Sequence, residues 1–265
     1  MVASTARIII KSPREIELMR AAGRVVYRVL AELGEMVRPG VTTADLDTRA
    51  DEVIRASGGT ALFKGVRNPQ ARFPFPACIC ASVNEEVVHG IPRARPLAEG
   101  DIVSIDCGVK LKGYCGDAAR TYAVGSASLQ SRRLLDVTRA ALELAAQEIQ
   151  PGLRWSRVAR LMQKLVEDKG FGVVREFVGH GIGQEMHEEP KIPNYYDRSQ
   201  RDTDFELRPG MTLAVEPMVT AGHADVKLGD DTGWTVVTRD GSRAAHFEDT
   251  MAVTAAGVEV LTDGS

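Results

Sequence analysis

Three carboxylates in this 265-residue chain stand where carboxylates are expensive. Asp106 follows the apolar run Ile102-Val103-Ser104-Ile105, Glu216 follows Leu213-Ala214-Val215 and precedes Pro217, and Glu248 lies between Phe247 and the run at Met251–Val253. An ionised carboxylate in an apolar strand costs several kcal/mol unless it is paired or binds a cation. Any one of the three, alone, reads as a strand-end carboxylate capping a turn; together they point to a metal. Asp117 adds to the case. A hairpin turning at Lys110-Leu111-Lys112-Gly113 pairs position 106 with 117, which sets the two aspartates opposite one another with Cβ atoms about 5 Å apart. Two bare carboxylates that close repel and force one pKa up, whereas a dication makes the arrangement favourable. His180, between Gly179 and Gly181, offers a nitrogen donor; without the carboxylates it reads as a helix-end histidine. Four carboxylates and one imidazole, with no thiolate, suit Mn, Fe(II), Co or Zn and allow a two-metal centre, the choice of metal remaining open.

These residues need a scaffold, and the sequence outlines one. Ser12-Pro13-Arg14-Glu15 is a helix start with a hydroxyl cap, proline at the first helical position and a glutamate three residues after the cap. Apolar residues at 18, 22, 25, 26, 29 and 33 keep a 3.6 period to the stop at Pro39-Gly40, and a second helix spans about Thr43 to Ile54. Positions 63 to 76 carry Pro69, Pro74 and Pro76 and read as loop. Strand-like runs follow at 78–88, 102–109 and 114–124. Two more helices, Ser128 to Ile149 and Arg154 to Asp168, precede strands near 173–177, 211–215 and 247–253.

The order repeats. Pro39-Gly40 recurs as Pro151-Gly152, 112 residues on, and the run from Leu97 to Asp106 recurs 110 residues on as Leu207 to Glu216, making Asp106 and Glu216 equivalent. His89-Gly90-Ile91 is echoed more weakly by His180-Gly181-Ile182. The expected architecture is α/β: two halves facing across a pseudo-two-fold axis, one domain over 11–265 behind a short N-terminal tail (1–10), with the site at the seam.

Composition sets outer bounds. Hydrophobic residues make up 44% and charged residues 26%, and 33 basic against 36 acidic side chains leave a net charge of −3, which weighs against a dedicated nucleic-acid binder. Four cysteines without a C-x-x-C pair read as reduced thiols. No signal-peptide core and no run of about 18 apolar residues is present, so a cytoplasmic protein without a membrane partner is expected.

At this point the chain resembles the type I methionine aminopeptidases, metallopeptidases of the pita-bread fold, in which a central, mainly antiparallel sheet carries its helices outside. The resemblance runs through S-V-N-E-E-V-V-H-G-I-P (82–92), D-I-V-S-I-D (101–106), G-Y-C-G-D (113–117), G-H-G-I-G (179–183), M-H-E-E-P (186–190), V-E-P-M (215–218) and H-F-E-D-T (246–250). It implies that Asp106, Asp117, His180, Glu216 and Glu248 hold two divalent ions, with Asp117 and Glu248 bridging. It implies that His89 and His187 contact the substrate, that Glu216 or a metal-held water moves the proton, and that Phe75, Cys80, Met186 and Trp234 surround the methionine side chain; ordinary core packing is the alternative for each of these four, and the simpler reading for the apolar ones taken singly. The implied activity is removal of the initiator methionine from nascent polypeptides with a small second residue, by a monomer transiently near the ribosome. An Xaa-Pro aminopeptidase or prolidase is the rival enzyme, and a non-catalytic pita-bread binding protein the rival from another class. Three departures stand out: Asp249 and Cys115 occupy positions where the family often has histidine, and the loop at 66–73 is longer than the usual glycine-rich segment.

Overall fold

The computed structural model describes residues 8–265, so most of the expected N-terminal tail, Met1 and Val2 included, lies outside the described residues. Helix α1 (Pro13–Met36) starts on the expected capping box, with Ser12 and Glu15 satisfying each other's amides, and buries Met19, Val25, Val26, Val29, Leu30 and Leu33 along one stripe. At about 1.5–3 kcal/mol for each large apolar side chain taken out of water, that stripe is what fastens the helix to the sheet. Helix α2 (Thr43–Ala56) follows, and then strands β1 (Thr60–Ala61), β2 (Cys80–Val83), β3 (Glu86–Val88), β4 (Ile102–Leu111) and β5 (Tyr114–Ala123). The second half repeats the helices as α3 (Leu129–Glu148) and α4 (Trp155–Glu167). Its strands are β6 (Gly172–Val173), β7 (Gly179–Gly181), β8 (Glu188–Ile192), β9 (Thr212–Val215), β10 (Met218–Thr220), β11 (Val226–Leu228), β12 (Val236–Thr238), β13 (Ala244–His246), β14 (Glu248–Thr254) and β15 (Gly257–Val260).

The main sheet runs β1-β4-β5-β14-β9-β7-β8, with β2 added on β4 and β15 on β14, and the ladders are antiparallel. Both halves therefore share one sheet, joined where β5 meets β14, with helices packed outside as the resemblance implies. The duplication is repeated hydrogen bond for hydrogen bond. Gly40 donates to the Leu97 carbonyl and Gly152 to that of Leu207, both at 2.9 Å, while Gly100 donates to Val124 and Gly210 to Val253, both at 2.8 Å. All four glycines hold positive φ, between 84° and 90°, which accounts for the matching glycines in the two sequence runs.

Three expectations change. The run at 78–88 is two strands, broken at Asn84 (φ 58°), with β3 leaving for a small sheet beside β12. The expected strand at 173–177 shrinks to β6. The β4–β5 hairpin turns on two residues, Lys112 and Gly113, both at positive φ (51° and 86°), so Leu111 pairs with Tyr114 and the register slides by two from the expected one. Asp106 faces Ala119 and Asp117 faces Gly108, so the two aspartates are diagonal neighbours and not direct partners. A slide of two keeps every side chain on its face, which is why they still converge.

Candidate active site

Four strands present one row of positions to the seam. Asp106 of β4 faces Ala119 of β5, Ala119 faces Glu248 of β14, and one step beyond the Asp249–Val215 pair Glu248 comes level with Glu216 at the end of β9. Asp117 stands two residues along β5 on the same face. Its partner Gly108 leaves room for it: a Cβ there would come within 3.2 Å of Asp117 Oδ1 and 3.0 Å of the Phe63 ring. His180 pairs with Ala214, two residues before Glu216 and on the same face, and its Nε2 is 3.8 Å from Glu216 Oε1. All five residues expected to hold metal are thus brought together.

The echo between His89 and His180 is not a symmetry relation. Ala214 corresponds to Ser104, whose partner is Ser82, so the counterpart of His180 is Ser82.

Burial dominates the electrostatics. It pushes Asp106 and Glu248 well above the usual carboxylate range, helped by the negative charges of neighbouring carboxylates, and raises Asp117 and Glu216 to about 8. Asp106 Oδ1, Asp117 Oδ1 and Glu248 Oε1 are buried without a hydrogen-bond partner. Orphaned buried oxygens are costly, and several aimed at one point fit a cation. Asp117, His180 and Glu248 offer donor atoms within 4.8 Å of one another, and so do Glu216, His246 and Glu248. His180 Nδ1 lies 2.9 Å from the Gly181 carbonyl, which can only accept, so the proton is on Nδ1 and the Nε2 lone pair faces the carboxylates. The donor set fits divalent ions.

A cavity of about 540 Å³ opens beside this cluster. His89 and His187 line it, His187 edge-on to His180 with ring centroids 4.3 Å apart and His89 edge-on to Phe177 at 5.5 Å. Burial lowers His89 to about 4 and depresses His187 as well, so both rings are neutral donors near pH 7. His89 sits at φ 59°, a conformation that costs a non-glycine residue about 1–3 kcal/mol and recurs at functional sites. The other end of the cavity is apolar: Phe75, Cys80, Met186 and Trp234 lie in one cluster with Phe63 and Val66. Cys80 joins the two ends, since it faces Asp106 across the β2–β4 ladder.

The 66–73 loop forms part of this wall. Arg72 donates its amide to Thr232 (2.9 Å), Trp234 Nε1 donates to the Phe73 carbonyl (2.9 Å), and Phe75 meets Trp234 edge to face at 5.2 Å. Of the two other departures, Asp249 points to the opposite face of β14 from Glu248 and pairs with Arg120 at 2.6 Å. Cys115 is buried under the Gly183-Gln184 turn, does not line the cavity, and is pushed up to about 12 by burial. The four cysteines are all free and buried.

One residue beside the carboxylates escaped the sequence reading. His246, fully buried, places Nε2 3.6 Å from Glu216 Oε2 and 3.8 Å from Glu248 Oε2. The signal was in the duplication: 117 + 129 is 246, the same offset that relates Val124 to Val253.

Residues 17–255 match the profile of metallopeptidase family M24. The chain belongs to this family. As a metallopeptidase it works with divalent metal, in keeping with the converging carboxylates. It is 48% identical over 255 residues to methionine aminopeptidase 1 of Bacillus subtilis, covering 96% of this chain and 99% of that one. The crystal structure of methionine aminopeptidase from Thermotoga maritima superposes with a TM-score of 0.90 at 45% identity, covering 97% of this chain and 99% of that one. An Xaa-Pro dipeptidase from Bacillus anthracis is more distant, with a TM-score of 0.72 at 25% identity, and this chain spans 62% of its length. No described helix of the M24 chain is long and apolar enough to cross a membrane.

Proposed function

We infer that this M24 chain is a metal-dependent aminopeptidase that removes the N-terminal methionine of new polypeptides when the second residue is small. The observation that carries the reading is the continuity, through Cys80, between an apolar pocket and a cluster of four carboxylates and an imidazole. Phe75, Cys80, Met186 and Trp234 hold the methionine side chain, and the free α-amino group lies against the carboxylates. Asp106, Asp117, His180, Glu216 and Glu248 would hold two divalent ions. When bound, such ions polarise the scissile carbonyl and lower the pKa of water.

The protein's own groups complete the chemistry. His89 and His187, neutral because they are buried, donate N–H to the substrate where negative charge develops. Glu216 or a water beside it takes up and returns the proton. The second residue of the substrate points at the crowded rim between the histidines and the acidic row, where bulk displaces the reacting groups. In the cell the substrate is a nascent chain, and we propose that the protein meets it as a cytoplasmic monomer, one catalytic unit over 11–265, working transiently near the ribosome.

Hydrolysis of Met-Ala-Ser, Met-Lys-Ser and Ala-Pro-Ser by protein stripped with chelator and reloaded with Mn or Co tests this reading. Metal-dependent release of methionine from Met-Ala-Ser, with kcat/KM far above that for the other two peptides, is expected, and preferential cleavage of Ala-Pro-Ser would count against the reading. Comparable rates on Met-Ala-Ser and Met-Lys-Ser would show that the rim does not exclude bulk.

A further inference from the structure

The pseudo-two-fold axis gives Asp117 a counterpart. The pair Gly108–Asp117 in the β4–β5 ladder maps onto Met218–His246 in the β10–β13 ladder, and the adjoining pairs 109–116 and 110–115 map onto 219–245 and 220–244. The duplication has thus put an imidazole where the first half has an aspartate. His246 and Asp117 approach the row of carboxylates from equivalent places in the two halves.

The backbone of His246 is tightly fixed. Its backbone amide donates to Thr121 Oγ1 (2.9 Å) and its carbonyl accepts from the same hydroxyl (2.8 Å), while Thr121 also shares a hydrogen bond with Ser104. Two carboxylate oxygens lie near Nε2, Glu216 Oε2 at 3.6 Å and Glu248 Oε2 at 3.8 Å. The nitrogen is buried and has no formed hydrogen bond. Glu216 turns its other oxygen, Oε1, toward His180. Among the described residues no other donor reaches Glu216 Oε2. A carboxylate that ligates metal through one oxygen needs its second oxygen held by an outer partner, and such partners set its orientation and basicity.

We propose that His246 is a positioning residue whose Nε2–H is donated to Glu216 Oε2, locking that carboxylate so that Oε1 is presented on the His180 side where metal is held. The two histidines beside Glu216 then have opposite tautomers: His180 carries its proton on Nδ1 and offers a lone pair, and His246 carries its proton on Nε2 and offers a donor. The 3.6 Å separation exceeds a formed hydrogen bond, and rotation about the soft terminal torsion of Glu216 closes it. This role rests on the reading of Glu216 and Glu248 as metal ligands.

The test measures metal and tautomer, not turnover alone. Glutamine at 246 supplies an N–H donor and is a poor metal ligand, whereas leucine fills the space without a donor. His246→Leu is expected to weaken Co(II) binding by about 10- to 100-fold by calorimetry, the effect of losing an outer-sphere partner. His246→Gln is expected to bind within about threefold of the parent, with an unchanged Co(II) visible spectrum. Imidazole 15N spectra of the Zn-loaded parent protein read the tautomer without any substitution, and a protonated Nε2 at His246 is expected. An unprotonated Nε2, parental affinity in His246→Leu, or a Co(II) spectrum altered in His246→Gln would each overturn the proposal, the last by showing the ring nitrogen to be a ligand itself. Co(II) affinity unchanged in Glu216→Gln and Glu248→Gln would instead overturn the ligand reading beneath it.

Discussion

Asp106 and Asp117 sit on neighbouring strands two residues out of step, Asp106 opposite Ala119 and Asp117 opposite Gly108. Their carboxylates meet on the diagonal, across small residues that leave the space open. The acidic row is completed from the other half of the molecule by Glu248 and Glu216.

Asp117→Asn keeps the side-chain volume and removes the charge. Metal-dependent turnover is expected to fall by roughly 10³-fold or more, since the several kcal/mol supplied by a bound ion correspond to that range. Circular dichroism should remain that of the folded protein. Full activity in this variant would remove Asp117 from the ligand set.

His89→Ala is expected to lower kcat by about 10²- to 10³-fold, the magnitude of losing one donor at a developing charge, while bound metal stays at the parental level. Metal content by plasma emission spectroscopy, measured beside kcat, separates this role from that of a ligand. A metal-free His89→Ala protein would reassign the residue.

Chelated protein should lose thermal stability between about pH 6.5 and 8, and added Mn or Co should restore it. Asp117 and Glu216 are raised to about 8 when folded, so the stability they contribute is present below their unfolded values near 4 and is lost as the pH climbs through 8. The buried histidines act in the opposite sense: His89 and His180, lowered to about 4, and His246, lowered to about 3, contribute stability that is lost only as pH falls below about 6.5. Above that value the carboxylates alone slope. A melting temperature in chelator that rises across this window would contradict their burial as unpaired groups.

Gly233→Ala should disturb the pocket and spare the metal. Gly233 has φ 80°, and a Cβ there would lie 2.5 Å from the Gln70 carbonyl oxygen and 2.8 Å from Ala71 Cα, so the 66–73 loop must move. With it goes the Phe73 carbonyl that holds Trp234. The left-handed conformation adds about 1–2 kcal/mol of strain. KM for methionyl peptides is expected to rise about tenfold with Co(II) affinity unchanged, and an unaltered KM would show that this loop does not shape the pocket.

Much of the site was legible because burying charge is costly enough to leave a mark on sequence. A carboxylate after Ile-Val-Ser-Ile or Leu-Ala-Val has few innocent explanations, and the run from Leu97 to Asp106, repeated at Leu207 to Glu216, shows two such sites related by duplication. Helix α1 was equally plain, since cap, proline and period are local signals. The hairpin register was not. A tight turn with Lys112 at positive φ looks, in sequence, much like a four-residue turn centred one position earlier, and a slide of two preserves the alternation that pattern reading detects.

The sequence by itself determined which groups had to be neutralised and that the two halves were copies. Only the tertiary structure decided which residues face one another across the seam. It set Ala119 between Asp106 and Glu248, docked the 66–73 loop on Thr232 and Trp234, and brought His246 to the carboxylates as the mate of Asp117. Ala119 and Glu248, and Phe73 and Trp234, are more than a hundred positions apart, and His246 and Glu216 are 30 apart. These relations depend on how strands from both halves come level in one sheet, a matter of packing and ladder register that no local run of residues encodes.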